Sequence, residues 1–297
     1  MVYSLKASHP KLGDGIRAIA HDQLGKGIKS LETQEDGVHE AVHDARKRVK
    51  KVRGLIRLVR PALPVYSSEN AYLRDAARLV SDFRDATAMI ECYDRLMEAQ
   101  PDGFDRSAAA PLRRQFTLER QAQADRPDVQ DRLSGLRDAL KATRDGLERW
   151  TLEAKGWDAI EDGLKRTYKR ARDAMEVAEK SRTPVDMHDW RKRVKYHWYH
   201  ARLLKNLWPE MTAPHIDAAG RLAELLGDHH DLVEFRARLP GAPLPKGTIN
   251  ALDKAAKAEM ERLESDAFAL GARLLAERPK CLAKRWGAWW DGWIDAG

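Results

Sequence analysis

The sequence predicts an all-α protein with an internal duplication. Ala, Leu, Arg, Lys and Glu recur at helical spacing in almost every window of the 297 residues, and patterns typical of β-strands are nearly absent. Apolar residues make up 43% of the chain, which is enough to bury a core. A basic segment in the first half returns almost unchanged in the second. We therefore expect two related groups of helices.

The duplication is centred on a basic octad. Residues 43–50 (HDARKRVK) return as residues 188–195 (HDWRKRVK) with only the third position changed. Pro64 and Pro209 follow the two octads at the same spacing, and the segments DFRD and DHHD stand at nearly that spacing as well. The repeat therefore includes the order of helices as well as one motif.

The first half contains four predicted helices. The first covers 13–31, and the basic helix that follows ends near Arg60, where Pro61 stops it. A third helix covers 69–81, and a fourth begins at Asp82 and carries a clear apolar stripe.

The middle of the chain is expected to connect two halves. Residues 107–125 and 129–150 are predicted to form one or two long helices with a weak apolar pattern. The predicted units, within a single domain over 1–297, are an N-terminal half over 1–126, a connecting helix over 127–155 and a C-terminal half over 156–297.

The second half is predicted to repeat the order of the first. A helix over 157–180 leads to Thr183, Pro184 and Asp186, which together form a strong start signal for the second basic helix. The later predicted boundaries are an end near Pro209, a helix ending at Gly227, a new helix from Asp228, a loop over 239–247, a helix over 249–276 and a last helix from Pro279.

Both basic helices place their cations on one face. In the first copy the opposite face carries Val42, Val49 and Ile56. A solvated face, the alternative, usually mixes charges of both signs, because like charges at i, i+4 cost a few tenths of a kcal/mol. No acid lies inside this stripe, so we expect a polyanionic ligand. The candidate binding residues are His43, Arg46, Lys47, Lys50 and Arg57, with His188, Arg191, Lys192, Lys195 and Arg202 in the second copy.

Other residues could extend this surface. A third basic patch precedes the second octad, although Glu161 and Glu176 flank it. The additional candidate contacts to a polyanion are Arg17, His39, Arg53, Lys165, Lys169, Arg172 and Tyr199.

Charge and cysteine content restrict the class of protein. The formal net charge of +7 favours an acidic partner such as nucleic acid, an anionic membrane or another polyphosphate. Cys92 and Cys281 stand far apart with no CxxC, which argues against a disulfide framework or a cysteine-based zinc site. We find no run of about 18 apolar residues and no apolar leader, and so expect a cytoplasmic protein with no membrane insertion.

Two histidine motifs could be taken for metal sites. Residues 39–43 (HEAVH) match the HExxH pattern of zinc hydrolases, but Arg46 and its neighbours continue the same face and would repel a dication. The second copy also has Pro184 in place of the first histidine. The pair His229 and His230 points about 100° apart on a helix and would rarely share one ligand. No metal is predicted, and a zinc hydrolase is the least favoured alternative.

Several polar and aromatic residues are interpreted as structural. The aspartates of DFRD and DHHD have the spacing of helix caps. His197 and His200 lie opposite the basic face and are predicted to be packed. The final helix carries a predicted docking face formed by Trp286, Trp289, Trp290 and Trp293. A Gly-rich phosphate loop, a nucleophile elbow and a magnesium-binding carboxylate cluster are all missing, so we predict neither a catalytic site nor a cofactor.

These features resemble the CHAD domain, the conserved histidine α-helical domain. The resemblance rests on the doubled octad, on residues 225–231 (LLGDHHD) and on residues 168–172 (YKRAR), and it covers nearly the whole chain. It implies two pseudo-symmetric four-helix bundles with a basic central groove or pore. The sequence departs from the family at His229 and His230, where an apolar residue and an arginine are commoner.

The resemblance also implies a ligand. Family members bind inorganic polyphosphate, and by position the ten candidate binding residues would line the groove. We therefore expect non-catalytic polyphosphate binding, with association to polyphosphate granules as an extension. A nucleic-acid-binding helical protein is the alternative, although stacking platforms or a recognition helix would then be expected. Nothing here matches the CYTH triphosphatase domain that some members carry, so its activity is not carried over.

Overall fold

Helices account for nearly all of the structure. The computed structural model describes residues 3–9, 11–101 and 104–296, with the backbone alone at Arg84. In this part of the chain there are eleven α-helices, three short 3-10 helices and no strand, which confirms the all-α prediction. The α-helices are α1 Leu12–Thr33, α2 Val38–Leu58, α3 Tyr66–Arg78, α4 Ser81–Glu98, α5 Arg106–Ala124, α6 Val129–Asp145, α7 Glu161–Ser181, α8 Pro184–Leu203, α9 Pro209–Arg238, α10 Lys246–Leu274 and α11 Pro279–Asp295. Among the described residues, no helix is both long enough and apolar enough to span a bilayer.

The second basic helix, α8, starts as the sequence predicts. The side-chain oxygen of Thr183 accepts a hydrogen bond from the backbone N–H of Asp186 at 3.2 Å, and Pro184 occupies the first turn. The cap supplies a partner for one of the N–H groups that a helix start leaves unpaired. This start fixes which residues of the second octad point towards the rest of the protein.

The helix break expected at Gly227 does not occur. One helix, α9, runs without interruption from Pro209 to Arg238. A Cβ atom at Gly227 would lie at ordinary contact distance, 3.4 Å, from the Nε atom of Arg191 on α8. Gly227 therefore lies inside a continuous helix, where it packs beside this arginine, and does not end the helix.

The two basic helices cross each other directly. A Cβ atom on Gly54 of α2 would lie only 3.0 Å from the Cβ of Tyr199 on α8. The carbonyl oxygen of Gly54 also accepts a hydrogen bond from His200 Nε2 at 3.1 Å. Gly54 and Tyr199 occupy equivalent positions in the repeat, so the two copies meet at matching points.

The apolar core consists of two clusters. The larger one joins side chains of α1, α2, α3, α6, α7, α8 and α11 with the first part of α9. The smaller one is formed by the later part of α4, by α5, by the end of α9 and by much of α10. Helices from before and after the middle of the chain therefore share the second cluster.

The tryptophans of α11 close the larger cluster, as predicted. Trp286 is fully buried and Trp290 is 7% exposed, while Trp289 and Trp293 pack at the edge of the cluster. Trp290 lies 6.0 Å from Trp157 between ring centres. His197 and His200 are completely buried, which confirms that they belong to the packed interior.

Candidate functional site

A cavity of about 320 Å³ lies between the two basic helices. Arg46 and Lys50 reach it from α2, and His188 and Arg191 reach it from α8. The cavity thus combines residues from both copies of the octad. The other lining residues come from α4 and α9 and are Asp85, Ala88, Met89, His230, Asp231, Glu234 and Arg238.

His188 and His230 face each other across one side of this cavity. Their ring centres are 4.1 Å apart, and the rings are inclined by 46°. Burial, followed by the nearby His230, Lys192 and Arg191, lowers the pKa of His188 to about 4. Burial and then Arg191 lower the pKa of His230 in the same direction. Both imidazoles are therefore neutral at pH 7, and each can act as donor or acceptor.

The cavity also contains carboxylates. Asp85, Asp231 and Glu234 stand among the four Lys and Arg residues of its lining, so the charges inside are nearly balanced. Asp231 pairs with Arg95 at 3.3 Å and lies on the buried side. Glu234 is on the exposed side of α9. The lining itself therefore keeps only a small excess of positive charge.

Four other octad candidates are not among the residues that line the cavity. His43 and Lys47 are exposed on α2, and Lys192 is exposed on α8 with 47% of its side chain accessible. The ammonium group of Lys192 lies 3.2 Å from Asp189. Lys195 is only partly exposed. The structure therefore brings together only part of the predicted set of binding residues.

Within each octad the aspartate pairs with the arginine one turn later. The Arg48–Asp44 distance is 2.9 Å and the Arg193–Asp189 distance is 3.1 Å. Burial raises the pKa of Asp44, but hydrogen bonds from Arg48 and Ser30 outweigh it and hold the pKa below its usual value. The acid of each octad therefore pairs with an arginine outside the predicted binding face, and in the second octad it also pairs with Lys192.

Arg57 and Arg202, the last residues of each stripe, contact aromatic rings. The guanidinium of Arg57 lies 3.8 Å from the ring centre of Tyr196, and that of Arg202 lies 4.7 Å from the ring of Trp198. Neither residue is part of the cavity lining. Both arginines lie beyond the crossing of α2 and α8, where cation–π contacts hold them.

Two of the additional candidates are held by neighbouring helices. The Nε2 atom of His39 donates to the carbonyl oxygen of Arg120 at 2.8 Å, and its Nδ1 atom lies 3.4 Å from the carbonyl oxygen of Phe83. Arg53 donates from Nε to the side-chain oxygen of Asn70 at 3.1 Å. Both side chains join α2 to other helices.

The other additional candidates lie away from the cavity. Lys165 and Lys169 pair with aspartates of their own helix at 2.5 and 2.7 Å. Arg172 donates to the carbonyl oxygen of Glu277, and Arg17 donates to that of Trp150. Tyr199 is buried at the crossing of α2 and α8, and this burial raises its pKa to about 12.

The predicted helix caps need correction. Helix α4 begins at Ser81, so Asp82 lies in the first turn, where it accepts the N–H of Phe83 at 3.2 Å and binds Arg132 at 2.6 Å. Asp228 and Asp231 lie in the middle of α9, because the helix does not end at Gly227, and both pair with Arg95. The second pair therefore joins α9 to α4 instead of capping a helix.

The histidine pair of α9 is divided between two environments. His230 lines the cavity, whereas Nε2 of the buried His229 lies 2.9 Å from Glu264 on α10. The described part of the chain holds no group of three side chains placed to bind a metal ion. Both ring nitrogens of His39, the first histidine of the HExxH match, lie near backbone carbonyl oxygens, as described above.

Sequence reasoning missed several residues of the cavity. His230, Glu234 and Arg238 follow each other at intervals of four residues, so they share one face of α9. All three lie in the helix predicted to begin at Asp228, but no local signal indicates that this face points towards the octads. Ala88 and Met89 belong to the predicted apolar stripe of α4, and no local signal indicates that they also reach a polar cavity.

The fold and the site define an all-α protein with a polar cavity between two related basic helices. A family model of the CHAD domain matches residues 22–240. The chain belongs to the CHAD domain family, as the resemblance of its motifs indicates.

Two solved structures are similar in fold. The CHAD domain from the plant Ricinus communis superposes with a TM-score of 0.66 and 16% identity, covering 94% of this chain and 96% of that one. PptA from Streptomyces chartreusis gives a TM-score of 0.59 and 16% identity, covering 90% of this chain and all of that one. At this identity the likeness concerns the fold alone. A search of curated protein sequences gives no match.

Proposed function

We propose that the protein binds inorganic polyphosphate, without catalysis, in the groove between α2 and α8. The observation that carries this proposal is the meeting of Arg46, Lys50, His188 and Arg191 around one cavity. Arginine can bind phosphate oxygens through two N–H groups at once, lysine supplies a compact charge, and a neutral histidine donates one hydrogen bond. Membership of the CHAD family, which is associated with polyphosphate binding in general, supports the same ligand class.

The carboxylates of the cavity have a place in this proposal. In the free protein, Asp85, Asp231 and Glu234 offset the mutual repulsion of Arg46, Lys50 and Arg191 and keep them in position. A phosphate chain then contacts the cations of the lining, while the carboxylates limit its affinity. Release of counterions from the polyanion contributes much of the binding free energy, by analogy with nucleic acids.

The proposal includes a symmetric architecture. We infer two pseudo-symmetric four-helix bundles whose approximate twofold axis passes near the contact between Gly54 and Tyr199. The pairing of α1 with α2 and of α7 with α8 supports this arrangement. A groove of this kind offers equivalent contacts to a phosphate chain that enters in either direction. We extend the proposal to association with polyphosphate granules.

The test is the binding of fluorescently labelled long-chain polyphosphate to a charge-reversed groove. The double variant Lys50→Glu, Arg191→Glu removes one cation from each wall of the cavity. We expect a loss of affinity of about tenfold or more and a shallower dependence of log K on log salt concentration. The matched control is Lys254→Glu, Arg273→Glu, because both residues are exposed on α10 and the change in net charge is the same.

Two outcomes would contradict the proposal. An equal loss in the control variant would mean that net charge, and not the groove, governs binding. Displacement of labelled polyphosphate by duplex DNA at equal phosphate concentration would favour the nucleic-acid alternative. Circular dichroism of each variant establishes that the helices remain intact.

A further inference from the structure

A second cavity lies where the start of α1 meets the end of α11. Its volume is about 610 Å³, and it shares no lining residue with the groove between the basic helices. Its walls are formed by residues within 5–9, 11–17 and 151–156 and by the last turns of α11. The cavity is within the size range of ordinary small-molecule sites.

One part of the cavity wall is apolar and is held in place by the protein core. Leu5 is 3% exposed and Trp290 is 7% exposed, so their positions are fixed by the core. The ring of Trp293 packs edge-on against Trp290, with 5.4 Å between ring centres. The remaining apolar lining residues are Leu12, Leu152, Ala154 and Ile294.

The other part is cationic. Lys6, Lys11 and Lys155 line the cavity and are exposed. Within the described part of the chain, none of these three lysines forms an ion pair with a carboxylate. The single acid of the lining, Asp14, is already paired with Arg17. The cavity therefore keeps an uncompensated positive charge next to aromatic and aliphatic walls.

We propose that this cavity binds a small organic anion with an apolar body, such as a single-chain carboxylate. The lysines neutralise the head group, and burial of the hydrocarbon against Leu5, Trp290 and Trp293 supplies the rest of the affinity. Inorganic phosphate or a phosphate chain uses only the lysines and leaves the apolar walls bare. The site is independent of the proposed polyphosphate groove.

The experiment is a titration of the full chain with sodium dodecanoate below its critical micelle concentration, followed by tryptophan fluorescence and calorimetry. We expect saturable binding with one site per chain. Lys155→Glu weakens it about tenfold, whereas the control Lys254→Glu, with the same change of charge, leaves it unchanged. Gly13→Leu abolishes binding, because a Cβ at Gly13 lies at ordinary contact distance from Arg17 and Leu152 and a larger side chain enters the cavity.

Other results would overturn the inference. Absence of saturable binding, or unchanged affinity in both Lys155→Glu and Gly13→Leu, means that the cavity does not hold the anion. If dodecyltrimethylammonium, a cation of the same chain length, binds with the same affinity as dodecanoate, the lysines do not contribute to binding. Displacement of dodecanoate by polyphosphate would mean that the cavity is part of a polyanion-binding surface. The proposed polyphosphate groove is tested separately, by the Lys50→Glu, Arg191→Glu variant, so failure of one proposal can be distinguished from failure of the other.

Discussion

At the scale of single residues, the cavity between the octads holds opposing charges in close proximity. Cations from both copies meet carboxylates from α4 and α9, and the neutral rings of His188 and His230 line the same cavity. Mutual compensation lets these cations stay close together in the absence of ligand. The same compensation weakens their attraction for a polyanion, so the carboxylates should set the affinity.

Removing one of these carboxylate charges should therefore strengthen binding. Glu234 lines the cavity from an exposed position on α9, where Gln fits without loss of packing. We expect Glu234→Gln to increase the affinity for polyphosphate several-fold, measured by fluorescence titration at fixed salt. Glu261→Gln on the exposed face of α10 is the control and should have no effect. Weaker binding by Glu234→Gln would show that the carboxylate helps to hold the ligand.

His188 should make polyphosphate binding depend on pH. Its pKa of about 4 in the free protein leaves it neutral at pH 7. A bound polyanion favours the imidazolium and raises this pKa, so the complex takes up a proton between the two pKa values. Affinity should therefore rise as pH falls from 7 towards 5, and His188→Gln should reduce that rise.

The groups around His188 define the control for this measurement. His230, Arg191, Lys192 and Asp189 all act on it, and burial lowers the pKa of His230 in the same direction as that of His188. His21→Gln, at an exposed position on α1, should keep the slope of the wild type. If the affinity of His188→Gln for polyphosphate depends on pH in the same way as that of the wild type, the proton taken up on binding belongs to a group other than His188.

At the scale of helices, the crossing of α2 and α8 determines where the octads lie. The approach is close because Gly54 has no side chain, and Tyr199 fills the space in front of it. The N-terminal parts of both helices then border the same cavity. A larger residue at the crossing would push the two octads apart.

Gly54→Ala should destabilise the protein. The added Cβ would lie 3.0 to 3.2 Å from atoms of the buried Tyr199, so one of the helices must move. We expect a loss of about 1–3 kcal/mol in the free energy of unfolding, measured by urea denaturation. The matched control is Gly25→Ala in α1, where nothing lies within 4 Å and a gain of up to about 1 kcal/mol is expected. Equal stability of the two variants would be inconsistent with a tight crossing.

Local sequence predicts most of the helices but only part of the site. The stripe containing Arg46 and Arg191 follows from helical periodicity, and the repeat relates its two copies. The role of Gly227 depends on contact with α8, which no local pattern reveals, so a packing glycine was interpreted as a helix end. The contacts of Arg57 with Tyr196 and of His39 with Arg120 join distant parts of the chain, and helical periodicity alone cannot distinguish them from ligand contacts.

At the scale of the whole molecule, the buried His197 and His200 and the partly buried His215 link stability to pH. His197 and His215 share a hydrogen bond of 2.7 Å between their Nε2 atoms, and His200 bonds to the backbone of Gly54. Burial lowers the pKa of all three, to about 3 for His200, to about 4 for His215 and well below the usual value for His197. All three are therefore neutral in the folded protein at pH 7.

Stability should therefore fall on mild acidification. In the unfolded chain these histidines have pKa values near 6.5, so the unfolded state binds more protons below that pH. Their contribution is fully present above pH 6.5 and decreases as pH falls towards about 4. Urea denaturation between pH 7 and 4.5 should show this loss, with a smaller slope in His215→Gln, where the amide can still bond to His197. A constant free energy of unfolding over this range would contradict the prediction.

The smaller apolar cluster has a consequence for shortened forms of the protein. Phe116 from before the middle of the chain contacts Phe235 from after it, with 6.1 Å between ring centres. An N-terminal fragment that ends between α5 and α6 would expose the apolar faces of α4 and α5 to solvent and would tend to aggregate. The two fragments produced together should instead associate through this cluster, as the two fragments of a split reporter protein do.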